Sequence, residues 1–335
     1  MLPALPLGSA LRRGALVTAA NWPVIVIELV LESLLKFAVA VPVVGGAFMV
    51  AVLLGADVRT LLDEGLRSMA ELILNLLASA PMAFASFVAA VALVGFGGSL
   101  IMFVVKSGTL SVLVAGERAA PDADRTPVRL DWFRRSSVYR VEDLLEAIQH
   151  FRGRSIALAV VLGLGYAAVA AVYALLIRAT FGLTEDPVWV SVWPLAVAVI
   201  TSAGLIGVAA LNLFFDLTRI VVVVEDCAIL VACVRLWRFL VADARHVLGI
   251  FGVMGAVAAV ATAAALVATA GLALIAWVPI AGLIVVPLQV VAWLVRGLIF
   301  QFMDLTTMVA YEAQYRRFSG LAADRTTPRL RVQRA

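Results

Sequence analysis

Apolar runs at 81–105, 155–177 and 247–276 contain no charged residue, and each is long enough as a helix to cross roughly 30 Å of hydrocarbon. A backbone in that medium must satisfy its own N–H and C=O groups, which favours helices over any open sheet. Further runs at 22–54, 188–213 and 279–299 bring the predicted spans to six. With 64% apolar and 14% charged residues, against about 45–50% and 25% in soluble domains, the composition excludes a water-soluble domain.

Lys and Arg are placed unevenly. Two precede the first span, nine lie in 106–154, four in 214–246 and six beyond 300; only Arg59, Arg67 and Arg178 fall in the opposite connections. This bias predicts a multi-pass protein of the bacterial inner membrane with both termini in the cytoplasm. The N-terminal segment does not read as a cleaved signal, because the apolar run after Trp22 is too long. Cys227 and Cys233 fall on the cytoplasmic side and read as small apolar residues.

Three stretches align: VVKSGTLSVLVAGE (104–117), FFDLTRIVVVVED (214–226) and FMDLTTMVAYEA (302–313). Thr109, Thr218 and Thr306 coincide, preceded by Ser107, Asp216 and Asp304. Each stretch runs on to an acid, Glu117, Asp226 or Glu312. Amphipathic segments precede the odd-numbered spans: 141–152 with an apolar face of Val141, Leu144, Leu145, Ile148 and Phe151, and 227–245 with Arg235, Arg238 and Arg245. ALRRGALVTAANW is a weaker version. The expected fold is an all-α polytopic membrane protein, with six transmembrane helices as three helical-hairpin repeats, each preceded by an interfacial amphipathic helix. As one membrane domain, 1–335, it divides into repeat 1 (8–117, with an outer amphipathic insertion at 57–79), a cytoplasmic loop (118–136), repeat 2 (137–226), repeat 3 (227–318) and a basic tail (319–335).

Charged residues near or within the spans are the candidate sites. Ser107, Thr109, Asp216, Thr218, Arg219, Asp304 and Thr306 would ring a cytoplasmic vestibule; a solvated i, i+3 pair of Asp216 with Arg219 is the plainer reading. Glu28, Glu32 and Lys36 share one face of the first span, about 9, 15 and 21 Å along it. Arg296 lies about 26 Å from the opposite face. Charges at such depth face a partner or a wet cavity, and three readings stay open. They form a closed ion pair, or a polar pathway, or 22–36 is interfacial and the true span is 37–54. Arg134, Arg135, Arg235, Arg238 and Arg245 are candidate contacts for anionic lipid headgroups.

HExxH, GxSxG, paired-Cys, GxGxxG and GxxxxGK[ST] motifs are missing, and His150 and His246 are isolated. The reading therefore assigns no catalytic residue, metal or cofactor. Glycine-rich 94–100 sits inside a span and suits close helix packing. Arginines interleaved with acids beside spans argue against nucleic acid as a partner; the bilayer, anionic headgroups and other membrane subunits are the expected ones.

DLTRIVVVVEDCAILVACVRLWRFL, with Asp216, Arg219, Glu225, Asp226, Arg235 and Arg238, resembles the membrane domain fused to bacterial glycerophosphodiester phosphodiesterases and its uncharacterised relatives. The resemblance covers about 10–318 and implies a six-helix membrane architecture. It carries no catalytic residue over, since the soluble phosphodiesterase domain is missing. The expected function is non-enzymatic handling, or assisted transport, of a lipid or small solute. A scaffold subunit of a larger membrane complex is the alternative.

Overall fold

The computed structural model describes residues 5–53, 81–119, 130–181, 187–276 and 279–321. Among them every regular element is a helix: α1 (Leu7–Ala20), α2 (Trp22–Leu53), α3 (Pro81–Ala119), α4 (Leu130–Ser136), α5 (Val141–Phe181), α6 (Pro187–Glu225), α7 (Ile229–Ala276) and α8 (Pro279–Phe318). The predicted insertion 57–79, most of the loop 118–136 and most of the basic tail lie outside the described residues.

Local chemistry sets the helix ends. Pro81, Pro187 and Pro279 each open a helix, where a missing N–H costs nothing and φ is already near the helical value. Asn21 breaks α1 from α2, with its N–H closing on Val17 and Thr18. Asp226 stops α6 by adopting φ 49, a left-handed conformation that Asp tolerates better than most residues. Asp243 bends α7 (φ −131, ψ 29), dividing 229–242 from the helix that follows.

Five helical segments are long and apolar enough to cross a bilayer: Ala85–Ala119, Val141–Phe181, Val192–Glu225, Ile229–Leu272 and Pro287–Phe318. The protein is thus a multi-pass membrane protein whose described elements are all helical. The predicted span 22–54 coincides with α2, which carries Glu28, Glu32 and Lys36 and is not among the five.

The chain divides into two compact units, Ile27–Phe103 and Met1–Val26 with Val104–Ala335, a cut that falls inside the first predicted repeat. In the smaller unit α2 and α3 run antiparallel. Gly46 faces the Phe87 ring and Gly98 faces Leu35, and a Cβ at either glycine would overlap that side chain. Close packing at 94–100 is therefore realised at Gly98.

The larger unit changes character along its helices. Leu205 and Ile206 of α6 are 66% and 70% exposed, whereas Leu217 and Ile220 are 2% and 1% exposed. The C-terminal stretches of α3, α6 and α8 bury Leu110, Val114, Leu217, Ile220, Val221, Met308 and Tyr311 in a common core, each apolar burial worth about 1.5–3 kcal/mol. The first turns of α5 and α7 add Leu144, Phe151, Leu236 and Phe239.

The sequence suggested an interfacial α1, but the structure packs it along α8. Ala10, Arg13, Gly14, Val17, Thr18 and Ala20 are buried. Small residues permit this close crossing: a Cβ on Gly14 would overlap the Thr306 carbonyl oxygen. Gly14→Val is therefore expected to destabilise the fold by about 1–3 kcal/mol or more, read as early melting of detergent-purified protein. Gly8→Ala, with open space around it, should melt within error of the parent.

Candidate functional site

Where the exposed part of each span meets the core, polar side chains from four helices gather. Lys106 Nζ of α3 lies 2.6 Å from Asp304 Oδ2 of α8. Arg219 Nη2 lies 2.7 Å from Asp216 Oδ1 on α6, with Arg219 buried and Asp216 38% exposed. Ser155 Oγ of α5 donates to Ser107 Oγ of α3 at 2.8 Å. Thr109, Thr218 and Thr306 are all buried; the first two donate back to the carbonyls of Lys106 and Phe214. The aligned Ser107, Asp216 and Asp304 thus each sit in a polar contact. Lys106, the partner of Asp304, stood beside Ser107 in the alignment without being singled out.

Further along the chain lies a second, largely buried ionic group. Arg13 Nη2 of α1 meets Glu117 Oε1 of α3 at 2.5 Å, and Arg316 of α8 bonds the other Glu117 oxygen. Arg316 also stands 3.6 Å from Glu312, one turn back on α8. Two of the three acids that ended the aligned stretches therefore meet through one guanidinium. Neither carboxylate oxygen of Glu312 accepts a hydrogen bond among the described residues. Next to the bridge, Asn21 Nδ2 donates to the carbonyls of Val17 and Ser136 at 3.0 and 2.8 Å, and Oδ1 accepts from the Val138 N–H at 3.1 Å.

The turn after α6 forms a third group. Glu225 is bonded by Arg235 and by the Tyr315 hydroxyl. Asp226 is bonded by Arg154 and lies 3.0 Å from His150 Nε2. Partial burial alone would raise the Asp226 carboxyl. Hydrogen bonds from Arg154 and His150, with the charges of both, outweigh that and hold it below its ordinary value. Burial pushes the neighbouring Cys227 thiol up, which keeps it protonated and poorly nucleophilic. Asp243, at the bend of α7, accepts from Gln314 Nε2 at 2.5 Å and pairs with His246 at 2.5 Å.

The remaining candidates belong to different parts of the chain. Glu28 of the smaller unit is buried, and Glu32 pairs with Lys36 at 2.6 Å in the favourable i, i+4 order. Arg296 belongs to the larger unit, where it is exposed and lies over the Phe300 ring, 5.7 Å from its centroid. Of the candidate headgroup contacts, Arg134, Arg135, Arg238 and Arg245 are exposed, while Arg235 is the Glu225 partner. Among the described residues no three His, Cys, Asp or Glu side chains gather in a way that could hold a metal ion.

The chemistry of this site is ionic pairing and hydrogen bonding between helices. No family model, curated protein or solved structure matches the chain.

Two outcomes follow from the geometry. Glu117→Gln removes the buried carboxylate that Arg13 and Arg316 share and should cost about 3–5 kcal/mol, whereas Glu312→Gln should cost far less; thermal melts of both variants in one detergent measure the gap. For Asp226 the folded value lies below the unfolded one. Its stabilising effect is therefore complete above about pH 4 and disappears as pH falls through the folded value. The melting difference between parent and Asp226→Asn should accordingly be constant near neutrality and close toward pH 3.

Proposed function

We propose that the protein is a non-enzymatic component of the inner membrane, with both ends cytoplasmic, that handles a lipid or helps to transport it. One observation carries this reading: partly exposed charges of both signs, Lys106 with Asp304 and the Asp216 carboxylate on a buried Arg219, lie at the end of exposed apolar helix surface. A phospholipid or similar amphiphile offers the matching arrangement, with chains along Leu205 and Ile206 and a headgroup exchanging with the ion pairs. Charges beside apolar spans normally face a partner or a wet cavity, which favours a role beyond packing.

A scaffold subunit is the second reading. A shallow groove of ≈ 390 Å³ on α6, lined by Ala198, Val199, Ser202, Ala203 and Ile206, favours it, since small residues let a neighbouring helix approach closely.

Reconstitution tests the lipid reading. Vesicles containing the purified protein should move headgroup-labelled phospholipid between leaflets faster than empty vesicles, as read by reduction of the outer label with dithionite. Lys106→Gln combined with Asp304→Asn should lower that rate several-fold while keeping the pair neutral. A rate equal to that of empty vesicles overturns the lipid reading and leaves the scaffold.

A further inference from the structure

The first segment of α7, 229–242, divides its surface into three stripes. Ala232, Leu236 and Phe239 are buried in the core. Leu230, Val234, Trp237 and Val241 are 82%, 54%, 64% and 68% exposed. At spacings of four, three and four these share one face over about 16 Å. Arg235 and Arg238 flank that face, and Arg245 follows just beyond the bend at Asp243. Glu225 holds Arg235, whereas Arg238 and Arg245 are exposed without an ion-pair partner among the described residues.

The corresponding segment of α5 is built differently. It exposes only Val141 and Leu145 of its large apolar residues, beside Glu142, Asp143 and Glu146. In α1 the equivalent arginine, Arg13, is turned into the core onto Glu117. Only the α7 segment therefore shows an apolar stripe together with cations along its edge.

We propose that this segment is an anionic-phospholipid site. Leu230, Val234 and Val241 lie in the acyl region, Trp237 sits at the interface, and Arg238 and Arg245 hold the phosphate. Its occupant follows from charge complementarity and from continuity with the membrane, because the segment belongs to the apolar stretch Ile229–Leu272 and Leu248, Phe251 and Val253 beyond the bend are exposed. Indole favours the headgroup boundary, and arginine extends its charge to that level while its stem stays in the apolar layer. The bend keeps the segment out of line with the span, so that its stripe can lie along the bilayer surface.

The test uses the full chain purified in a neutral detergent and titrated with phosphatidylglycerol or phosphatidylcholine, read by native mass spectrometry and thermal melting. Phosphatidylglycerol should be retained and raise the melting temperature; phosphatidylcholine should do neither. Arg238→Gln and Arg245→Gln should each weaken retention about fivefold, and Arg152→Gln on α5 should leave it unchanged. Brominated phosphatidylglycerol should quench the parent more than Trp237→Phe, a readout that needs no arginine variant. Equal retention of both lipids, arginine variants that titrate like the parent, or equal quenching of parent and Trp237→Phe would overturn the proposal.

Discussion

Glu117 carries a buried charge, and much of the larger unit is arranged around that fact. An unpaired carboxylate in such a place costs several kcal/mol, so partners must come to it. They come from two distant parts of the chain, Arg13 on α1 and Arg316 on α8. That requirement draws α1 along α8, and the close crossing in turn demands glycine at 14. It also fixes where α1 ends. Asn21 turns the chain into α2 and spends its side-chain amide on Ser136 and Val138, bringing the segment after α4 against α3 at Gly116. One buried acid thus accounts for the position of two helices and a connection.

The long helices of the larger unit live in two media. Their exposed parts, typified by Leu205 and Ile206, have no protein core to bury against, and lipid is the medium that suits them. Their C-terminal parts bury Leu217, Ile220 and Leu305 against one another. A helix hydrophobic along its whole length could satisfy both conditions, but it would slide between them. Lys106 and Asp304 mark the boundary and set the register of α3 against α8, because their contact is available only at that level, while Asp216 pairs within its own helix. The aligned threonines lie just inside it, two of them returning their hydroxyls to their own helix.

Sequence alone made the helices legible, since uncharged runs of this length have no other stable form in lipid. It also singled out the boundary residues, because Asp in an apolar run is conspicuous. Partners were harder to see. Lys106 pairs with Asp304 across 198 positions and Arg316 with Glu117 across 199, and no local period reports such distances. The burial of α1 was hidden for another reason. Ala, Gly, Val and Thr suit a membrane surface as well as a close helix crossing, and only the approach of α8 decides between them.

The three segments that precede α2 and the spans of α5 and α7 show how similar sequence patterns diverge through what their arginines meet. Arg13 finds a carboxylate in the core and pulls its helix inward. On α5, Arg154 is taken by Asp226 at the turn after α6, and Glu142, Asp143 and Glu146 lie exposed beside Val141 and Leu145. On α7, Glu225 takes Arg235 alone, which pins the segment to the end of α6 while its apolar stripe still faces outward. Interfacial character is therefore no property of the segment's own hydrophobic pattern. It depends on how many of its cations the protein's own carboxylates leave over, and on α7 two remain exposed, Arg238 and Arg245.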